Sequence, residues 1–290
     1  MVAAVQKRIV DVLTAGSEYL SDKGVENPGL VCKLLLSRLL GCKHLELPTR
    51  FNEVLGENHL AAMRRGVKRV CDGEPVQYVI GETGFMGHTF KVDRRALIPR
   101  PETEILVQQV LDWEPLWQIE RPRLVDIGTG TGCIVISLAL EKPGAVYAAF
   151  DTSAAALELA RENAAALGAG DVIGFMEAEL SDVIEPQTTN AVVSNPPYIP
   201  TAECNKLPDH IRLHEPRQAL DGGPDGLSVI ETIVQDSAII LAPGGALFLE
   251  IGETQGQAVT DLLEQEGFEN IAVAEDLAGR QRVVRGVMPA

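Results

Sequence analysis

Aromatic side chains make up only 4% of this 290-residue chain, so its core has to be built mainly from aliphatic and alanine side chains. No stretch of about 18 apolar residues occurs, which excludes an ordinary membrane-spanning helix. Lys7, Arg8 and Asp11 interrupt the N-terminus before a secretory core could form. The expectation is a soluble protein that does not engage a membrane. The five cysteines, at 32, 42, 71, 133 and 204, form no CxxC pair and no regular framework. That pattern fits reduced thiols in the cytoplasm, with an organelle matrix or stroma left open. Cys204, His210 and His214 are close in sequence but lack a fourth ligand at suitable spacing, so no metal is expected.

Positive charge is also short. The formal net charge is -16, unevenly spread: residues 1–100 hold 15 Lys and Arg against 11 Asp and Glu, a balance of +4, and residues 101–290 hold 10 against 30, a balance of -20. An acidic main region repels a phosphate backbone, which argues against a nucleic-acid substrate and tolerates a basic protein partner. Two phosphate-binding signatures are missing as well. No Walker lysine follows the glycines at 128, 130 and 132, and Cys133 stands where the third glycine of a dinucleotide fingerprint would be.

What is present divides the chain into three stretches. Residues 1–72 carry helical spacing over 2–21, over Pro28–Leu40 and from about Asn52 to Cys71, and read as a small helical bundle that docks a substrate or merely caps the fold. Residues 73–101 are a linker in which Gly81, Gly84 and Gly87 punctuate a β-hairpin containing Thr89–Asp93. Residues 102–290 alternate strands with helices. Pro101 suits a first helical turn, and Glu102 and Glu104 complement its positive end in a helix running to about Trp113. Arg100, between two prolines, is left facing the site as a candidate substrate-binding residue.

Arg123–Ser137 runs from a strand through a glycine turn into an apolar helix, which lets backbone approach a nucleotide-like ligand. Ala145–Asp151 reads as the second strand and ends in a carboxylate about 20 residues beyond the glycines, where a ribose diol would be gripped. A third strand, Val172–Met176, leads to Glu177-Ala-Glu-Leu180, where Glu179 and Leu180 could bracket an adenine. The fourth strand ends in Asn195-Pro196-Pro197-Tyr198. Two prolines stiffen that bend and hold the Asn195 side chain and the Pro196 carbonyl in fixed directions. Together they suit a planar, conjugated NH2 group flanked by Tyr198. A fifth strand at Gly245–Ile251 and a terminal pair at Ile271–Ala274 and Arg282–Arg285 complete a doubly wound, seven-stranded, mostly parallel α/β sheet.

Asp126-Ile-Gly-Thr-Gly-Thr-Gly132, Asp151 and Asn195-Pro-Pro-Tyr198 resemble a class I S-adenosylmethionine-dependent methyltransferase. Adenine-N6 methyltransferases acting on nucleic acid share that pattern and form the alternative. Gly73–Tyr78, Leu97–Glu104, His214–Gly223 with Asp225-Gly-Leu227, Leu249–Gly252 with Gln255-Gly256, and Asp276–Arg280 with Arg282-Val-Val284 are similar to the release factor glutamine methyltransferase family (HemK/PrmC). The resemblance runs from about residue 73 to the C-terminus. It implies N5-methylation of the glutamine in the Gly-Gly-Gln motif of peptide chain release factors, with S-adenosyl-L-methionine as donor and S-adenosyl-L-homocysteine as product. It further implies that Asp126, Gly128, Thr129, Gly130, Thr131, Gly132, Asp151, Glu179, Leu180 and Asn195 bind the cofactor. Asn195, Pro196 and Tyr198 would be catalytic, with Pro197 and Arg100 beside them on the substrate. A module that binds the cofactor without chemistry would have no use for Asn195–Tyr198.

Overall fold

The computed structural model describes residues 7–178 and 184–290. The chain forms two compact units, one running up to Glu82 together with Pro208–His214, the other Thr83–Leu207 with Glu215–Ala290. The first unit is helical: α1 (Ile9–Asp22), α2 (Pro28–Leu40), α3 (Glu57–Cys71) and α4 (Val76–Ile80), with a 3-10 stretch at His44–Arg50. Ile9, Leu13, Leu20, Leu36 and Met63 are buried between the helices. Pro28 occupies the first turn of α2 and Gly41 closes it in the left-handed region at φ 61°.

One expectation is corrected here. Helical spacing puts the start of the third helix at about Asn52, yet α3 starts at Glu57. Carbonyls at and just before that expected start are used elsewhere: Ile9 donates to the Glu53 carbonyl at 2.9 Å and Val10 to that of Phe51 at 3.2 Å. They satisfy the first N–H groups of α1, which have no partner inside their own helix.

The second unit opens with a hairpin, β1 (Glu82–Phe85, its first residue shared with the helical unit) and β2 (His88–Lys91), then α5 (Thr103–Leu111) and α6 (Glu114–Trp117). β3 (Arg123–Ile127), α7 (Cys133–Glu141), β4 (Val146–Phe150), α8 (Ala154–Leu167), β5 (Ile173–Met176) and β6 (Thr189–Ser194) follow. After β6 come the short helices α9 (Thr201–Cys204) and α10 (Asp209–Arg212), α10 lying in the stretch grouped with the helical unit, then α11 (Ser228–Ile240). β7 (Leu241–Glu250), α12 (Gly256–Gln265), β8 (Glu269–Glu275) and β9 (Gln281–Val287) end the chain. The helix expected to reach Trp113 stops at Leu111, and Glu104, read as a charge against the helix end, also accepts the Met86 N–H of the hairpin turn at 2.7 Å.

The seven strands lie in the order β5-β4-β3-β6-β7-β9-β8, and β9 runs antiparallel to both neighbours. Ala191, Val193, Ala246 and Phe248 enter one apolar layer with α5 and α7. Val192, Leu247 and Leu249 enter the other with α11 and α12. A sheet covered on both faces explains why its strands read as continuous apolar runs. From β3 the chain winds outward through β4 to β5, then returns to place β6 on the other side of β3. At such a reversal the loops leaving the two strands diverge and a crevice opens at their carboxyl ends. No helix among the described residues is long and apolar enough to cross a membrane.

Candidate active site

The glycine turn after β3 occupies one wall of that crevice. Gly128, Gly130 and Gly132 all have positive φ, at 67°, 55° and 80°, a region costly for other residues. Gly132 is further constrained, since a Cβ there would lie 2.7 Å from Ile136 Cδ1 and 3.2 Å from Ala160 Cβ. Its place is in the packing of α7 against α8. Three hydrogen bonds set the turn: Thr129 N–H donates to the Phe150 carbonyl at 2.9 Å, Gly130 N–H to Asp151 Oδ2 at 2.9 Å, and the Thr129 hydroxyl to Asp126 Oδ2 at 2.7 Å.

Asp151 stands just beyond β4, its other oxygen accepting from Ser153 N–H at 2.8 Å. Each oxygen is thus fixed by one backbone donor and keeps acceptor capacity for a ligand. Asp126 is differently placed. It is 2% exposed and lies behind the turn, with Oδ1 lacking a hydrogen-bond partner. Burial pushes its carboxyl up to about 7, opposed by the Thr129 hydroxyl and the Val135 N–H.

Opposite the glycines, β6 delivers Asn195. The Ser194 hydroxyl donates to the Ile127 carbonyl at 2.7 Å, joining the ends of β6 and β3. Asn195 Nδ2 donates to Thr103 Oγ1 at 3.0 Å, which leaves the side-chain oxygen as its unused acceptor. The segment 220–226 braces the bend. Ile199 N–H donates to the Leu220 carbonyl at 3.0 Å and Gly222 N–H to that of Ile199 at 2.9 Å. A Cβ on Gly222 would lie 2.6 Å from the Pro197 carbonyl oxygen, and one on Gly226 would collide with that of Tyr198. Gln255 Nε2 donates to the Tyr198 and Gly226 carbonyls, both at 3.1 Å.

A cavity of about 550 Å³ lies between these parts, large enough for a nucleoside-sized ligand. Of the residues singled out from sequence, Gly128, Thr129, Gly130, Thr131, Asp151, Asn195, Pro196, Pro197 and Arg100 line it. Asp126, Gly132 and Tyr198 stand behind its wall. The Tyr198 hydroxyl points to Glu250 Oε1 at 3.4 Å, and burial, with that carboxylate, raises its phenol. Glu179 and Leu180 lie outside the described residues. Arg100 reaches the cavity already paired, donating to Glu215 Oε1 at 2.6 Å. Arg95, also at the cavity, is paired with Asp93 and Glu162.

Sequence reasoning missed Thr103, Glu215 and Glu250. All three are buried polar groups, and burial of a charge or hydroxyl among apolar neighbours asks for a specific partner. All three sit inside motifs named above, at Leu97–Glu104, His214–Gly223 and Leu249–Gly252, but nothing in the sequence shows what they touch. Among the described residues no group of three or more His, Cys, Asp and Glu is placed to hold a metal ion.

Two family models match the chain, one described as the PrmC N-terminal domain over residues 11–81 and one as the methyltransferase small domain over residues 102–220. The release factor glutamine methyltransferase of Caulobacter vibrioides is 35% identical over 279 residues, 96% of each chain. That of Geobacter sulfurreducens is 39% identical over 268 residues, 92% of each chain. That of Moorella thermoacetica is 41% identical over 264 residues, 91% of this chain and 92% of its own.

Proposed function

The chain belongs to the release factor glutamine methyltransferases, and from that premise we propose that it moves a methyl group from S-adenosyl-L-methionine to the side-chain amide nitrogen of the glutamine in a release factor's Gly-Gly-Gln motif. The observation that carries this reading is the Asn195 amide. Its NH2 is engaged by Thr103, so its oxygen is the group left for a carboxamide N–H at a cavity bounded by the glycine turn.

The residues fit an adenosyl ligand. Ile127, Phe150 and Ile233 give the cavity apolar walls, and the doubly held Asp151 carboxylate is suited to a pair of ribose hydroxyls. Both arginines at the cavity are paired with carboxylates, so a dinucleotide's phosphates would meet no uncommitted cation there. Gly128, Thr129, Gly130 and Thr131 would lie along the methionine part, and Asp126 would act through the turn by holding the Thr129 hydroxyl. Glu179 and Leu180 keep their proposed place beside the adenine.

When bound, the sulfonium supplies an electrophilic methyl group. Asn195 Oδ1 and the Pro196 carbonyl accept the two N–H groups of the carboxamide, which fixes the nitrogen's direction and stabilises the positive charge it gains. An amide nitrogen is a weak nucleophile because its lone pair is delocalised, so alignment and exclusion of water carry most of the acceleration. One N–H proton leaves as the N–C bond forms and the S–C bond breaks, and the methylated nitrogen is acidic enough to release it to solvent, so no strong base is required. Pro197 at the cavity wall and Tyr198 behind it keep the bend stiff, and Arg100, held by Glu215, borders the substrate side.

The helical unit, residues 1–72 with what folds onto it, serves as the docking part. A cavity of about 670 Å³ there has Leu60 and Met63 among its walls, with Lys7, Lys23 and Arg64 around it beside Asp11 and the ion pair of Lys68 and Asp72. Such a site suits a protein surface of mixed apolar and acidic character. A release factor as substrate supports a location in the cytoplasm or its organellar equivalent.

The deciding assay offers tritiated S-adenosylmethionine with a purified release factor, the same factor with its motif glutamine replaced, and duplex DNA. Label is expected in the first alone. Label in the DNA would favour adenine methylation, and equal label in the replaced factor would overturn the assignment to that glutamine.

A further inference from the structure

The glycine turn that borders the cavity is held from behind by a side chain that none of the motifs named above contains. Asn163, on α8, is 2% exposed. Its Nδ2 donates to the Thr131 carbonyl at 2.9 Å and to that of Lys91 at 3.1 Å, and its Oδ1 accepts from Lys91 N–H at 2.8 Å. A side-chain amide carries the same donor and acceptor as a peptide group. Asn163 therefore pairs with Lys91, the last residue of β2, as a residue on a neighbouring strand would, and gives its second N–H to the glycine turn.

Both attachments bear on the cavity. The peptide between Thr131 and Gly132 is held at each end, its carbonyl by Asn163 and its N–H by the Thr129 carbonyl at 2.8 Å. Thr131 lines the cavity and is itself 2% exposed, so its carbonyl would be left buried and unpaired without Asn163. From Lys91 the chain runs on to Arg95, Ala96, Leu97 and Ile98, which form another part of the lining. A Cβ on Gly130 would lie 3.8 Å from that of Ala96, so this segment and the turn are in contact. The segment has other ties to α8: Lys91 pairs with Glu162 at 2.5 Å, and Arg95 with Glu158 at 3.2 Å and Glu162 at 2.9 Å. Those pairs lie at least partly in water, where an ion pair restrains a chain only weakly. Asn163 is the buried link.

Taking the cavity as the adenosyl site proposed above, we propose that Asn163 is a positioning residue which fixes the glycine turn and the 91–98 segment against each other, so that cofactor affinity depends on its amide. Two of its three partners are carbonyls, which only accept, so the NH2 is the part that does the positioning.

The test measures S-adenosyl-L-homocysteine binding by calorimetry, melting temperature, and the kcat and cofactor KM of methyl transfer. Wild type is compared with Asn163→Asp, Asn163→Ala and a control, Tyr147→Phe. Asn163→Asp keeps the size and the acceptor for Lys91 N–H, but offers at most one hydrogen where two carbonyls need one each. The control also removes a buried donor to backbone: the Tyr147 hydroxyl serves the Leu138 and Lys142 carbonyls, both at 2.9 Å, at the end of α7 remote from the turn. Both Asn163 variants should weaken binding by about 10- to 100-fold, the range expected when a buried hydrogen-bonding partner is lost from behind a ligand. Cofactor KM should rise by a similar factor while kcat at saturating cofactor stays within about 3-fold, as when binding alone is lost. Tyr147→Phe should lower the melting temperature and keep wild-type affinity. In the wild type, S-adenosyl-L-homocysteine should slow amide exchange at Lys91, which stands outside the cavity lining, as well as at Gly130 and Gly132.

Wild-type affinity in Asn163→Asp, an equal loss of affinity in Tyr147→Phe, or a fall in kcat as large as the rise in KM would each overturn the proposal. Should neither Asn163 variant fold, exchange at Lys91 that ignores the ligand would do the same. A wild-type protein that binds no S-adenosyl-L-homocysteine counts against the adenosyl site itself, and the proposal falls with it. Normal wild-type binding beside an unaffected Asn163→Asp counts against the role of Asn163 alone.

Discussion

Asn195 contributes one preorganised acceptor, and removing a contact of that kind typically costs about 2 to 4 kcal/mol of transition-state stabilisation. Asn195→Ala should therefore lower kcat by roughly 30- to 1,000-fold, read in the tritium assay with cofactor affinity measured in parallel. Asp126 offers a prediction about pH. Its carboxyl is raised by burial to about 7, so its contribution to stability is fully present below the usual carboxylate range and is lost as pH rises through about 7. Asp126→Asn, which keeps an acceptor for the Thr129 hydroxyl, should gain on wild type in melting temperature as pH climbs from about 4 to about 8. A constant difference across that range would refute the assignment. Single residues also mark the limit of what the sequence discloses. The motif order announces Asp126, Gly132 and Tyr198 together with Gly128 and Asn195, but says nothing of direction. Three of these five stand behind the wall, because a tight turn has two sides. Thr103 and Glu250 went unnoticed because their meaning lies in partners 92 and 52 positions away, at Asn195 and Tyr198.

The elements around the bend act as one support. Gly222 and Gly226 pass so close to the Pro197 and Tyr198 carbonyls that neither has room for a side chain. Gly222→Ala should destabilise the fold by about 2 kcal/mol or more through a forced backbone shift, which for a domain of this size lowers Tm by roughly 4 to 8 °C. Calorimetry checks the first effect, and a fall in kcat larger than the fall in folded fraction checks that the bend itself has moved. Strands and long helices were legible because burial on both faces, or on one stripe, imposes a pattern on composition. α2 runs from Pro28 to Leu40 as its proline and the following Gly41 announce. Ends were less legible where tertiary bonds decide them: α3 begins late because Phe51 and Glu53 serve α1, and β7 begins at Leu241 rather than at the expected Gly245 because it pairs there with Thr189.

Across the whole molecule, charge is unevenly divided, as the docking role proposed for the helical unit would use. The helical unit places Lys23 and Arg64 at its cavity, whereas the stretch from 101 onward carries the acidic excess. Changing Lys23 and Arg64 together to glutamate should raise the KM for an intact release factor several-fold while leaving that for a short Gly-Gly-Gln peptide near wild type, with the gap narrowing at high salt. Equal effects on both substrates would remove the helical unit from recognition. The doubly wound architecture could be anticipated from alternating strands and helices, and the order β5-β4-β3-β6-β7-β9-β8 supplies what alternation cannot, the position of the reversal. That order also has a consequence for folding. β9 enters between two strands that precede it in the chain, so both antiparallel ladders wait on one strand, and whatever weakens that strand loosens the whole edge of the sheet at once.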